Sequence, residues 1–213
     1  MRSAVCGMLI AVCIIASRHC VAEDAADTTA QVPQPNAPSE AQPRRDIAPF
    51  QWRNYHSYVF IDDELPADAS LEGMWTWDET IKTSGMRSHT ALSSVGTAMH
   101  GVVCAPYEIP SSSGFTQDVY LVRDGMPGAI MMKFLLENGE EVGIYWEGET
   151  EVVRPQMDEK LWYKGTLPPP GVWARLEFLA KDIGLERKKI TGIRFITFSG
   201  KAYWDRTSLV TKD

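Results

Sequence analysis

The sequence predicts an all-β domain, a sandwich or a barrel, over residues 50–213. Three observations carry this. Short runs rich in β-branched and aromatic residues recur along that stretch, turn residues separate them, and no long 3.6-residue periodicity competes. The first run is Ser57 to Ile61 (SYVFI). The next holds Trp75 and Trp77 two apart within Gly73 to Trp77, hence on one face of a strand. Asp118 to Val122 follows. Ala129 to Leu136 (AIMMKFLL) meets Val142 to Trp146 (VGIYW) across Glu-Asn-Gly-Glu, and Asn-Gly between two such runs is a strong hairpin signal. In Val172 to Phe178, Val172, Ala174, Leu176 and Phe178 alternate with Trp173, Arg175 and Glu177. That spacing predicts a half-buried strand with Trp173 turned outward. Residues 180–185 (AKDIGL) predict one short helical turn stopped by Gly184. Ile190 to Phe198 and Ala202 to Val210 predict a closing hairpin around Ser199-Gly200.

The chain ahead of this domain reads differently. Arg2, the apolar run Ala4 to Ala16, and a small-residue close at Cys20 and Ala22 have the order of a secretory signal peptide, residues 1–22. The run falls short of the ~20 apolar residues of a membrane span. Residues 23–49 are rich in Pro, Ala, Gln and acids and hold no aromatic residue. Such a segment buries too little apolar area to offset its ordering entropy and is expected as a disordered linker. The expected location is secreted or periplasmic, with no integral membrane segment after cleavage. Cys6, Cys13 and Cys20 leave with the signal, so Cys104 alone remains and no intrachain disulfide is expected. Losing Arg2 and Arg18 with it takes the formal charge from −7 to −9. An acidic chain without a basic stripe is unsuited to nucleic acid.

A second kind of signal lies in the order of particular residues. Val59 to Ala67 (VFIDDELPA) is a strand ending in Asp-Asp with a Leu-Pro-Ala turn. Trp75 and Trp77 follow, then Ser84, Gly85, Ser88, Gly96 and His100, then Pro127 to Phe134. The close is Leu167-Pro168, Gly171-x-Trp173-x-Arg175-Leu176-Glu177, and Tyr203-Trp204-Asp205. This order resembles an uncharacterised domain common in large secreted bacterial proteins, similar to galactose-binding-like and carbohydrate-binding-module sandwiches. One position departs: the family often has Gln before the His, where this chain has Met99. The resemblance implies a jelly-roll β-sandwich, galactose-binding-like or concanavalin-like. It implies a non-catalytic module that binds carbohydrate or a cell-surface polysaccharide. A structural or assembly module binding a protein partner is the alternative, and a glycan-active enzyme the third reading.

In the resembled jelly rolls, an Asp near the last strand often helps acids of an early strand to hold a structural calcium. Asp205 with Asp62 and Asp63 are the corresponding candidates. The other reading of Asp205 is a strand-end cap or an ion pair with Arg206 or Arg175. Sugars are bound by flat rings against their C–H faces and by polar groups at their edges. That chemistry nominates Trp75, Trp77 and Trp146, with Glu147 beside the last and His100 as a polar partner. The competing reading is that these rings are core. His100 and Cys104 share a strand face and could be combined with His89 or His56 into a metal site, but zinc signatures have tighter Cys/His pairs. Asp78, Glu79, Glu147 and Glu149 are acids without a spacing that pairs them for hydrolysis, and no nucleophile motif is present. The expectation is therefore no enzyme.

Overall fold

The computed structural model describes residues 55–91, 96–148 and 160–212. The expected signal peptide, the expected linker and the domain start at Phe50 lie outside them. Twelve strands form among these residues. They are β1 (Tyr55–Ile61), β2 (Ser70–Gly73), β3 (Trp75–Asp78), β4 (Ser88–Ala91), β5 (Thr97–Glu108) and β6 (Ser113–Leu121), then β7 (Ala129–Leu136), β8 (Glu141–Glu147), β9 (Leu161–Thr166), β10 (Trp173–Leu179), β11 (Lys189–Phe198) and β12 (Ala202–Lys212).

They make two six-stranded sheets, the jelly-roll β-sandwich that the residue order implied. The first runs β10-β6-β12-β4-β3, with β1 also on β12; the second runs β2-β5-β11-β7-β8-β9. Among the described residues every strand pairing is antiparallel except β8 with β9. The inner faces fill one core. Phe115, Phe134 and Phe178 stack within 4.8–5.9 Å of one another across the two sheets. Trp204 from the first sheet meets Phe195 from the second at 5.2 Å. Aromatic burial of this extent is the largest apolar contribution a β-sandwich core can make per residue.

Several local expectations hold. β7 and β8 pair across the Asn-Gly turn. Gly139 alone takes a positive φ, 82°, with its N–H donating to the Leu136 carbonyl, which is the geometry of a three-residue loop. Ala180–Ile183 is a 3₁₀ turn ended by Gly184. Cys104 packs half-buried against the main core, as a small hydrophobe.

Three expectations are corrected. The stretch Gly73 to Trp77 is not one strand. It divides at Met74, β2 joining the second sheet and β3 the first. β11 and β12 are not a hairpin either: they belong to opposite sheets, and Ser199-Gly200 carries the chain between them. Both turn residues are left-handed, with φ of 54° and 79°. Their neighbouring amides bond elsewhere, Ser199 N–H to the Gly96 carbonyl and Lys201 N–H to that of Gly125. Apolar residues on both sides of a tight turn read alike for a hairpin and for a crossing between sheets, because both bury one face. Lastly, Val172 lies just before β10 and is exposed rather than core-facing.

Candidate functional site

Strand alternation decides where the nominated residues point. Trp77 pairs with His89 on β4, and His89 pairs with the fully buried Trp204, so all three side chains face the sandwich interior. Trp75, two residues from Trp77, does the same. On the second sheet His100 pairs with Phe195, and Trp146 pairs with Ile130, both inward. Trp146 is 5% exposed and His100 fully buried. Four of the five residues nominated for a ligand therefore point into the core. Glu147 points out of the second sheet, on the face opposite to Trp146, and is 2% exposed.

The interior group has its own order. Trp75 stacks on His89 at 4.3 Å, and Phe195 stacks on His100 at 5.4 Å. The outer face of Trp77 is taken by the Arg87 guanidinium, 4.0 Å above the ring. His89 Nδ1 and His100 Nε2 lie 2.8 Å apart, a hydrogen bond from one sheet to the other. One ring must donate and the other accept, and the accepting ring must be neutral. Burial pushes His100 down to about 3; burial and then its neighbour push His89 well below its ordinary value.

The three acids named for calcium are brought to one loop, residues 79–87. A β-bulge prepares this. The register of β12 on β6 shifts between Asp205 and Ser208, and Arg206 takes a φ of 49°. The buried Gln117 side chain fills the interrupted ladder, donating to the Asp118 and Asp205 carbonyls and accepting from the Thr207 hydroxyl at 2.6 Å. Asp205 Oδ2 accepts the Thr83 and Ser84 amides at 2.7 and 3.0 Å. Asp62 Oδ2 accepts the Ser84 hydroxyl at 3.0 Å. Asp63 Oδ1 accepts the Met86 and Arg87 amides at 2.6 and 2.9 Å, and Arg87 returns two bonds to the Asp63 carbonyl. The carboxylates thus latch the loop by its backbone. The Asp62 and Asp205 carboxyls face each other, and their Oδ1 atoms are buried without a protein donor. Burial raises Asp205 to about 6, its two amide donors oppose this, and Asp62 adds to it.

A calcium cage needs six to eight oxygens. Asp62 Oδ1 and Asp205 Oδ1 are free of protein donors here, while Asp63 gives its Oδ1 to the loop amides. Among the described residues no three acidic, His or Cys side chains converge on a metal position. Protonation of Asp205, which burial and the neighbouring Asp62 favour, meets the same electrostatic need as a cation would.

The open surface lies elsewhere. Where the β9 edge of one sheet faces the β10 edge of the other, a cleft of about 480 Å³ opens. The indole of Trp146 and the side chain of Leu176 reach it from the core side. Leu167, Pro168 and Pro169 form an apolar wall, and Lys164, Thr166, Arg175 and Glu177 supply polar groups. A register shift opposite Tyr145 and Trp146 makes Lys164 the extra residue of β9. Burial lowers the Lys164 ammonium, opposed by the charges of Asp182 and Glu177. Arg175 is held bidentately by Asp118 at 2.7 and 2.9 Å, the ion pair that the sequence offered to Asp205 instead. The sequence marked Trp146 and the Leu-Pro pair but not the cleft, since its two walls are strands of different sheets.

No protein-family model matches the chain, and no curated protein matches it. The chain is similar to solved carbohydrate-binding β-sandwiches. One is TmCBM61 in complex with β-1,4-galactotriose, at 14% identity and a TM-score of 0.40, over 67% of this chain and 88% of that one. Another is the C-terminal family 22 carbohydrate-binding module of Clostridium thermocellum Xyn10B, at 8% identity and 0.40, over 74% and 93%. The glycoside hydrolase domain of Endo-D from Streptococcus pneumoniae R6 matches at 13% identity and 0.38, over 68% of this chain; the match spans 21% of that longer chain.

Proposed function

We propose that this is a secreted, non-catalytic carbohydrate-binding module whose ligand enters the cleft between β9 and β10. The observation that carries the reading is the composition of that cleft. A sugar ring presents apolar C–H faces and a rim of hydroxyls, and a site for it needs flat apolar walls beside convergent donors and acceptors. Leu167, Pro168 and Pro169 supply the first; Lys164, Thr166, Arg175 and Glu177 supply the second. The volume falls within the range of small-molecule sites, roughly 300–1,000 Å³. Among the described residues one carboxylate, Glu177, lines it. Glycoside hydrolysis usually employs two, one as acid and one as base or nucleophile, so the cleft is suited to holding a glycan rather than cutting it. Among the described residues no helix is long and apolar enough to cross a membrane.

The test is a glycan array followed by calorimetry on the purified chain. A retained neutral glycan, with binding weakened roughly tenfold or more by Lys164→Ala or Glu177→Ala, is the expected result. Retention of no glycan, with the chain shown folded by circular dichroism, overturns it.

A further inference from the structure

The β10 wall of the cleft continues onto the outer face of the first sheet, and that face carries a row of rings. Trp173 on β10 pairs with Tyr120 on β6, and Tyr120 pairs with Tyr203 on β12. Their chain neighbours Val119 and Trp204 are fully buried, so the three rings stand on the opposite face, where Trp173 and Tyr120 are partly exposed and Tyr203 is only 6% exposed beneath Lys201. Ring centres are 5.7 Å apart from Trp173 to Tyr120 and 6.3 Å from Tyr120 to Tyr203. Two residues along, the next row on the same face is Arg175, Asp118 and Asp205. The latched loop 79–87 sits on Asp205 and so bounds the ring row on that side. Arg175 belongs to both features: it lines the cleft and stands beside Trp173 on β10.

We infer that the cleft and the Trp173–Tyr120 pair form one continuous site for a linear, neutral polysaccharide chain running across the strands. This rests on the proposed glycan-binding function and extends it. A monosaccharide would fit the cleft alone. A chain leaving the cleft over Arg175 meets Trp173 and then Tyr120, partly exposed rings on neighbouring strands inclined at 52° to each other. The polar partners come as neutralised pairs. Arg175 is held by Asp118, Lys164 lies in the field of Asp182 and Glu177, and Lys201, 4.7 Å from the Tyr203 ring centre, acts on Asp78. An anionic polymer would have to displace these acids and approach a chain of net charge −7. Hydroxyl groups can instead bond to both members of each pair.

The experiment is calorimetry of the full chain against neutral β-1,4-linked oligosaccharides from disaccharide to hexasaccharide, with a polyuronate oligosaccharide of the same length as comparison. The expected result is affinity that climbs at least tenfold along the neutral series, with Trp173→Ala and Tyr120→Ala each removing most of the gain with length. Trp173→Phe keeps a flat ring and restores part of it, which separates loss of the platform from a general folding defect. If the disaccharide binds as tightly as the hexasaccharide and Trp173→Ala leaves the series unchanged, the continuous site is wrong while the glycan-binding cleft stands. Tighter binding of the polyuronate overturns the neutral ligand. If no oligosaccharide of any length binds, the functional reading fails and this one with it.

Discussion

His89 on one sheet and His100 on the other are joined by a 2.8 Å hydrogen bond through the middle of the sandwich. Both rings are fully buried, and each lies against an aromatic ring, Trp75 for His89 and Phe195 for His100. The bond works as an inter-sheet tie because both imidazoles are neutral. Charging either one would place an ion among aromatic rings.

The two rings should therefore be energetically coupled. His89→Leu or His100→Leu alone leaves a buried ring nitrogen unpaired and is expected to destabilise by roughly 2–4 kcal/mol. The double variant should cost less than the sum of the singles. Chemical denaturation of the four members of this double-mutant cycle measures the coupling; strict additivity would show that the bond contributes nothing.

The same pair sets a direction for acid sensitivity. Its folded-state affinity for protons is depressed, for His100 to about 3, against an unfolded value near 6.5. The unfolded chain therefore binds more protons between these values. The contribution of the neutral pair is complete above pH ~6.5 and is lost progressively as pH falls below it. Melting midpoints between pH 7 and pH 4 should drop more steeply in the parent than in the double Leu variant.

Asp205 acts with the opposite sign. Its folded value is raised to about 6, by burial first and then by Asp62, from 3.8. Its contribution is present at pH values below about 4 and is lost as pH rises through 6, where Asp205 must ionise in its buried place beside Asp62. Asp62→Asn keeps the shape and offers an N–H, so it should raise the midpoint at pH 8 by an amount on the order of 1 kcal/mol while changing little at pH 4.5. Adding calcium at pH 8, with chelator as control, decides between a proton and a cation. A rise in midpoint that Asp205→Ala abolishes would restore calcium to the pair.

Gly200 offers a backbone test of the crossing between sheets. It holds a φ of 79°, and a Cβ there would meet the Gly125 carbonyl oxygen at 2.2 Å. Gly200→Ala combines strain with a clash against rigid backbone and is expected to lower stability by roughly 2–3 kcal/mol. Were β11 and β12 an ordinary hairpin, no backbone from residues 125–127 would stand in the way, and the loss would be nearer 1 kcal/mol.

Local pattern along the chain was enough for the class of the fold and many of its strands. Alternation, β-branched content and turn residues act over a few positions, and they placed β1, β7, β8 and the 3₁₀ turn near their observed bounds. It also indicated that Trp173 stands outward, because its strand alternates clearly. Tertiary structure alone decided which sheet each strand joins, and so the side chains' surroundings. Trp75, Trp77, Trp146 and His100 carry the residue types of a sugar site, yet pairing with Ala91, His89, Ile130 and Phe195 turns them inward. β4, β5 and β9 were not marked by local pattern. β4 is buried throughout, β5 is interrupted by Gly101 and Pro106, and β9 pairs in parallel across a long connection. The cleft, the row of Trp173, Tyr120 and Tyr203, and the facing of Asp62 and Asp205 each join residues separated by dozens of positions. Contacts of that kind follow from how two twisted sheets stack, which no short-range property of the chain encodes.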